Sequence, residues 1–198
     1  MPQLWRLTRN RYGRAVYDAL GRVGITATEM VEYVIALEDA PAADGGPGVG
    51  TDADGRTGYT VEVCDPSTVE PLDAPVEELQ SDELVVAALE DGRPRGYLFC
   101  SVDATHEIHP LERELRFEGA YIRRVFVDPD HRDRGIATAM VGETCRLARE
   151  RGAERATALV ALDNGPSRAL FERHGFAPQR RRRYVRVGPL SHRSVRSP

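Results

Sequence analysis

Apolar and polar residues alternate along several short segments in the middle of the chain, as in β-strands with one buried face. The Asp91-Gly92 pair between two of these segments favours a hairpin turn. A longer strand is predicted to follow, interrupted at Gly119, where a glycine marks a bulge or a bend. The predicted strands span residues 59–64, 83–89, 97–102 and 115–127.

A different period governs the next part of the chain. In residues 133–151 apolar residues recur every three to four positions, which predicts an amphipathic helix. Residues 156–162 are almost continuously apolar, as in a strand buried on both faces. A second helix is predicted from Pro166 to Gly175, and a last strand at 181–187. The pattern predicts an α+β (mixed α/β) fold, with a single central mixed sheet of about six to seven strands flanked by helices.

The N-terminal region carries weaker signals. Residues 1–25 predict a short amphipathic helix, and the apolar segment 30–37 is too short to decide between helix and strand. Residues 40–58 consist mainly of Gly, Pro, Ala and Asp, which is typical of a flexible linker. The predicted organisation is an extension at 1–58, one folded domain at 59–190 and a flexible tail at 191–198.

Composition adds few constraints. The chain has 198 residues, of which 41% are hydrophobic, enough for one domain of ordinary size. Its three cysteines are scattered, so we expect free thiols, no disulfide framework and no metal site. No apolar run approaches the roughly 20 residues that cross a bilayer, and the start lacks the features of a signal peptide. We therefore expect a cytoplasmic protein that does not bind membranes.

Charge is divided unevenly along the chain. Residues 29–92 hold 17 acids and one arginine, so their net charge is 1 − 17 = −16. Residues 121–198 hold 17 arginines and 8 acids, so their net charge is 17 − 8 = +9. Such blocks either attract one another within the fold or face an anionic ligand at one end and a cationic ligand at the other.

The most informative segment is residues 125–137, VFVDPDHRDRGIA, which leads from a predicted strand directly into the first predicted helix. A strand end, a tight turn and a helix start bring several free backbone N–H groups together, and this arrangement binds phosphate. Gly135 lets a ligand approach the backbone, while Arg132 and Arg134 add positive charge. The patterns of nucleoside-triphosphate and dinucleotide loops do not occur here.

These residues resemble the GNAT superfamily of N-acetyltransferases, whose pyrophosphate loop reads [RQ]-x-x-G-x-[GA] after a strand that ends V-x-P. A second family element, N-x-x-A-x-x-L-Y-x-x-x-G-F, is matched in part about thirty residues further on, and the resemblance covers about residues 59–187. The loop positions are Arg132, Gly135 and Ala137 after Val127 and Pro129, and the second element has Asn164, Leu170, Gly175 and Phe176.

The resemblance implies acetyl-CoA as cosubstrate. In such enzymes the loop amides hold the CoA pyrophosphate, strand amides bind the pantetheine arm, and the asparagine after the next strand contacts that arm. One strand amide also steadies the thioester carbonyl. The cofactor-binding residues implied here are Val125, Phe126, Val127, Arg132, Asp133, Arg134, Gly135, Ile136, Ala137, Thr138, Asn164 and Phe171.

The acid and base of such a reaction are less evident. Tyr121 stands where the family often carries a glutamate base, and Glu118 is the nearest carboxylate on the same predicted strand. Phe171 replaces the family tyrosine that often protonates the thiolate, so Tyr184 or solvent takes that role. The candidate catalytic residues are therefore Glu118, Tyr121 and Tyr184.

The resemblance implies an N-acetyltransferase that moves an acetyl group from acetyl-CoA to a primary amine, either a small amine or a protein N-terminus. The acidic block favours a cationic acceptor. The alternative is a non-catalytic acetyl-CoA-binding module that engages a protein partner. The arginine run at 180–183 suits a solvated edge or a contact with the CoA 3′-phosphate better than nucleic acid. The oligomeric state stays open between monomer and homodimer.

Overall fold

The structure is a computed structural model that describes residues 25–40, 49–51 and 57–198. The helix predicted in residues 1–25 and most of the linker predicted at 40–58 lie outside the described residues. The strands are β1 Ile25–Ala36, β2 Val49–Thr51, β3 Thr57–Cys64, β4 Leu84–Glu90, β5 Arg93–Val102, β6 Thr105–Ile108, β7 Arg113–Arg116, β8 Ala120–Val127, β9 Arg155–Ala161, β10 Ala177–Val187 and β11 Leu190–Arg196. The helices are α1 Ile136–Glu150 and α2 Gly165–Arg173, with 3-10 helices at Pro66–Leu72, Val76–Glu78, His109–Leu111 and Pro129–His131.

One large sheet dominates the described part of the chain. Its nine strands have the order β11-β10-β1-β9-β8-β5-β4-β3-β2, and the pairing is antiparallel except between β8 and β9. β6 and β7 form a separate two-stranded sheet. The predicted α+β class and the single central mixed sheet flanked by helices are confirmed. The sheet is larger than the predicted six to seven strands because strands form in both terminal regions.

β1 lies in the interior of the sheet, although its residues were assigned to the extension predicted at 1–58. It pairs with β9 on one side and with β10 on the other, both antiparallel. Its Val31, Tyr33 and Ile35 alternate into the core. The short apolar segment has no local signal for this position, because its partner strands lie more than a hundred residues further along the chain.

The two faces of the sheet are covered differently. On β4, Val86 and Ala88 join the core cluster that packs under α1 and α2, and Val85 and Ala87 point to the other face. There they share a core cluster with Val69 of the 3-10 helix Pro66–Leu72. α1 forms because its apolar residues share one side, with Met140, Val141, Cys145 and Ala148 all buried, which confirms the predicted amphipathic helix. Neither described helix is long and apolar enough to cross a membrane.

The single strand predicted at 115–127 is divided at Gly119. This glycine has φ +74°, and a Cβ there would lie 2.4 Å from the carbonyl oxygen of Arg155. A side chain at this position is therefore excluded both by backbone conformation and by space. The division sends β7 to pair with β6 outside the main sheet, while β8 starts at Ala120 inside it.

At the C-terminal end, β11 forms the last strand of the sheet and pairs with β10 over its whole length. The strand includes most of the tail predicted at 191–198. Its sequence, LSHRSVR, contains few apolar residues, and all but Ser194 are exposed. The alternation that identifies half-buried strands is consequently absent, and β10 supplies the pairing that keeps this segment extended.

Candidate functional site

A cleft opens where the two parallel strands separate. β8 and β9 are paired only from Ala120↔Ala156 to Ile122↔Ala158. β8 continues to Val127 and β9 to Ala161, where β9 pairs with β1 alone. The second half of β8 therefore presents a strand edge toward the cleft, and that edge can accept an extended ligand as if it were another strand.

A β-bulge redirects β8 beside this cleft. Arg124 has φ +56°, and the register between β5 and β8 shifts between Tyr97 and Phe99. Before the bulge Ile122 faces the core under α1, and after it both Val125 and Val127 pack against that core. A left-handed conformation is strained for arginine, and such strain is common at functional sites.

The first turn of α1 closes one end of the cleft. Gly135 is its N-cap residue with φ +77°, and the first intrahelical hydrogen bond runs from Ala139 N to Gly135 O at 2.9 Å. The amides of Ile136, Ala137 and Thr138 precede that bond and have no acceptor within the helix. Together with the positive end of the helix dipole, they form an anion-binding position.

A cavity of about 390 Å³ connects the strand edge of β8 with this helix end. α2 forms its second wall. Eight of the predicted cofactor-binding residues line the cavity, α2 adds four others, and the 3-10 helix before α1 adds His131. The lining residues are Val125, Val127, His131, Arg132, Asp133, Gly135, Ile136, Ala137, Thr138, Pro166, Ser167, Leu170 and Arg173.

The electrostatics behind the loop are organised by Glu90 at the end of β4. Its carboxylate accepts a hydrogen bond from Arg134 at 2.9 Å and lies 3.1 Å from Arg95 and 3.3 Å from the His131 ring. The hydrogen bond from Arg134 is the largest cause that lowers the pKa of Glu90. Arg132 instead remains among the residues that line the cavity, and its Nε donates to the carbonyl of Val127 at 3.2 Å.

On the α2 side, the Asn164 side chain caps the helix by accepting a hydrogen bond from Ser167 N at 3.4 Å. Phe171 is buried and packs edge to face against Phe176 at 5.1 Å, which leaves its ring little surface for a ligand. Burial lowers the pKa of His174 at the end of α2, and the Thr138 backbone in the first turn of α1 offsets part of this shift. Residues of both helices line the cavity.

The sequence profile described as the acetyltransferase (GNAT) family matches residues 57–176, which is more than half of the chain. This chain belongs to the GNAT family. An uncharacterized N-acetyltransferase of Methanocaldococcus jannaschii is 33% identical to it over 86 residues, which make up 43% of this chain and 35% of that protein. The resemblance inferred from the loop and from the second motif is thereby confirmed.

Solved structures show the GNAT fold across most of the chain. A Drosophila protein superposes with a TM-score of 0.60 at 15% identity, over 89% of this chain and 57% of its own. A GCN5-related N-acetyltransferase from Sphaerobacter thermophilus has a TM-score of 0.55 at 19% identity, over 95% of this chain and 58% of its own. The chain spans about a third to three-fifths of the length of these three proteins.

The three candidate acid-base residues do not meet at the GNAT cleft. Glu118 precedes β8 at the opposite end of the sheet and lies 3.6 Å from Arg155 in an exposed ion pair. Residues 120–124 of β8 separate it from Val125, and a strand rises about 3.3 Å per residue. Glu118 is therefore unsuited to act as a base, because β8 runs from the end near Glu118 toward the cleft at its other end.

Tyr121 and Tyr184 both belong to the core cluster under the β6–β7 hairpin. Burial raises the pKa of the Tyr121 phenol far above its usual range, so the group stays protonated near neutral pH. The Tyr184 hydroxyl donates to the carboxylate of Glu112, and this hydrogen bond raises its pKa. Tyr121 is therefore unsuited to act as a base, and Tyr184 is a weaker proton donor than an exposed phenol.

Ion pairs join the acidic segment 29–92 to the arginine-rich segment 121–198. Glu78 pairs with Arg124 at the bulge, and Glu90 pairs with Arg134 at the loop. In each pair the acid comes from the block 29–92 and the arginine from 121–198, so the blocks attract one another within the fold. No short motif marks Glu78 or Arg124, and the charge pattern was the single signal that could have indicated them.

Proposed function

We propose that this protein transfers an acetyl group from acetyl-CoA to an amine. The observation that carries the proposal is the cleft between β8 and β9, which has a free strand edge along one side and the unbonded amides of α1 at its end. Membership of the GNAT family supports the same reaction. The proposal assigns the cavity of about 390 Å³ to the cosubstrate.

The residues present fit acetyl-CoA. The amides of Ile136, Ala137 and Thr138 would hold the pyrophosphate, with Arg132 beside them, and the absence of a side chain at Gly135 leaves room for the phosphates. The backbone of Val125 and Val127 would hold the pantetheine arm by strand-like hydrogen bonds. Phe126 points to the other face, where it stacks on Tyr97 at 5.4 Å.

The bulge supplies the polar group that the reaction requires. Acyl transfer places negative charge on the carbonyl oxygen, and a fixed backbone N–H donor stabilises that charge. The left-handed Arg124 turns the peptide that follows it, so the Val125 amide is the donor that we assign to this oxygen. The ion pair with Glu78 anchors the Arg124 side chain and so stabilises the bulge.

The acceptor amine would approach from the face that carries the acidic segments. Both 3-10 helices between β3 and β4 belong to the acidic block, and Glu78 in the second one reaches the bulge through Arg124. A cationic acceptor suits this surface. Acetyl-CoA supplies the thioester: the amine nitrogen bonds to the acetyl carbon, the carbon–sulfur bond breaks, and the amine proton passes through water to solvent or thiolate.

A second candidate function is a GNAT module that binds acetyl-CoA without transferring the acetyl group. The favouring observation is that none of the three candidate acid-base residues lines the cleft: Glu118 precedes β8, and Tyr121 and Tyr184 are buried in the core cluster under the β6–β7 hairpin. The two functions share the cofactor site, and they differ in turnover alone. Thiol release from acetyl-CoA in the presence of amines therefore separates them.

The experiment combines calorimetric binding of CoA with thiol release across a set of small amines and peptides with free N-termini. Acetyl transfer predicts both binding and release, and binding without release on any amine would support the module. The variant Gly135→Glu should abolish both, because a carboxylate would occupy the phosphate position. Gly152→Glu is the matched control, since Gly152 also has a positive φ, +83°, and lies beyond the other end of α1. A parent protein that does not bind CoA would refute both functions.

A further inference from the structure

The β10–β11 hairpin carries a concentration of positive charge. Residues 177–196 contain seven arginines and no aspartate or glutamate. Four of the seven are engaged inside the fold: Arg180 and Arg182 with Glu32, Arg186 with Glu112, and Arg193 over the Tyr184 ring. Arg181, Arg183 and Arg196 are exposed, and no carboxylate of the described residues forms an ion pair with them.

These three arginines share one face of the hairpin. Arg181 and Arg196 are directly opposite in the β10–β11 register, and Arg183 follows two positions along on the same side. Like charges placed directly opposite each other destabilise a sheet. Charged residues on an edge strand also prevent aggregation, but charges of mixed sign would do so without the cost of this repulsion. Glu29 of β1 is opposite Arg183, whereas Arg181 has no acid opposite it on either neighbouring strand. A bound anionic group would offset the repulsion between Arg181 and Arg196, which is why the cluster indicates a ligand.

The backbone beside the cluster is available for pairing. β11 is the end strand of the sheet order, so the described part of the chain provides no strand on its outer edge. Exposed apolar side chains lie along the same hairpin: Val187 is 53% exposed, Leu190 76% and Val195 50%. An extended polypeptide can bind to the free edge of β11, to the arginines and to the exposed apolar side chains. It offers backbone hydrogen-bonding groups for the edge, and side chains that are acidic or apolar at alternate positions.

We propose that the β10–β11 edge binds an acidic, extended segment of another protein, which adds as a strand beside β11. Side chains on one face of a strand repeat about every 7 Å, so alternate carboxylates of the segment would lie along the arginine face. Single-stranded nucleic acid binds to surfaces with exposed aromatic rings for base stacking. The hairpin contains one such ring, Tyr184, and this ring is buried.

The test uses the full chain and a short fluorescent peptide that alternates glutamate and valine, with binding followed by anisotropy at low salt. The triple variant Arg181→Ser, Arg183→Ser, Arg196→Ser should weaken binding by about tenfold or more. The control variant Arg93→Ser, Arg116→Ser, Arg151→Ser removes the same charge from exposed sites elsewhere and should change the affinity less than about twofold. Thermal unfolding confirms that both variants remain folded.

Two further probes test the mode of binding. A peptide N-methylated at alternate residues keeps its charge but cannot pair with β11, so its binding should be lost. A labelled oligothymidylate tests the nucleic-acid alternative. The proposal is overturned if the parent chain does not bind the peptide, if both triple variants lose affinity equally, if N-methylation has no effect, or if the oligonucleotide binds more tightly than the peptide.

Discussion

Arg134 donates a hydrogen bond to Glu90 at 2.9 Å, so its guanidinium is held at the back of the loop between β8 and α1. Arg132 lines the cavity itself. The two arginines of the motif therefore differ in environment, although they are two positions apart in the sequence. Alanine variants of the two should therefore behave differently, because Arg132 is placed to contact a ligand and Arg134 positions the loop.

We expect Arg132→Ala to weaken CoA binding by about tenfold, because a charge-assisted contact with phosphate is worth about 1.5 kcal/mol. Arg134→Ala should weaken binding less and should lower the melting temperature, since the partly buried Glu90 loses its main partner. Calorimetry with CoA and thermal unfolding of both variants provide the comparison. A larger loss of affinity in the Arg134 variant would place Arg134 on the ligand.

Conservative variants test the predicted acid-base residues. Tyr121→Phe should retain thiol-release activity within about threefold, because a buried phenol with a raised pKa does not act as a base near neutral pH. Glu118→Gln should behave similarly, since Glu118 lies at the other end of β8. The measurement is kcat for an amine that the parent acetylates. A loss of more than about a hundredfold in either variant would assign that residue to catalysis.

Gly119 offers a test of the boundary between β7 and β8. Alanine at Gly119 should destabilise the protein by about 3 kcal/mol or more, because the positive φ and the contact with the Arg155 carbonyl both oppose a Cβ. Gly152→Ala shares the positive φ and has open space around it, so it should cost only about 1 kcal/mol. Urea unfolding measures both, and equal losses would contradict the steric account.

Stability should decrease in mild acid, and His106 contributes to this decrease together with the other buried histidine, His174. Burial lowers the pKa of His106 from 6.5, and its Nε2 lies 2.7 Å from Ser101 Oγ inside the β6–β7 cluster. Below about pH 6.5 the unfolded state binds a proton that the folded state does not. The free energy of unfolding therefore decreases as the pH is lowered. It should be insensitive to this group above that pH.

Urea midpoints at about pH 7.5 and pH 5.5 test this expectation. His106→Gln keeps a polar partner for Ser101 without a titrating ring, and it should reduce the pH dependence. His109→Gln is the matched control, because His109 lies three residues away and is exposed. If the two variants respond to pH in the same way as each other, His106 is not the source of the effect.

Removal of β1 should prevent folding. β1 pairs with both β9 and β10, and its Tyr33 hydroxyl donates to Glu172 of α2 at 2.7 Å. A chain that starts at residue 37 loses these contacts and leaves two strand edges exposed within the sheet. A chain that starts at residue 25 retains β1 and should remain folded. Circular dichroism and size-exclusion chromatography distinguish these outcomes, and a folded protein without β1 would contradict the central position of this strand.

Local patterns were sufficient to predict the elements around the cavity beside α1. α1 has a strict apolar period, β9 is almost continuously apolar, and the loop between β8 and α1 has the glycine that its left-handed turn requires. Such elements depend on neighbours in the sequence, and their types could therefore be read from one chain. The family resemblance depends on the same local spacing.

Only the tertiary structure shows which segments pair with one another in the sheet. β1 and β11 gain their place in the sheet from partner strands, and Arg124 adopts its left-handed conformation because the register of β5 against β8 requires a bulge. Glu118 precedes β8, and Tyr121 lies where β8 is still paired with β9, so neither reaches the cleft, and no local pattern reports this. The sequence by itself determined the loop before α1, together with α1 and α2, because these are local. Pairing over long separations determined the rest, because it depends on the energy of the whole sheet.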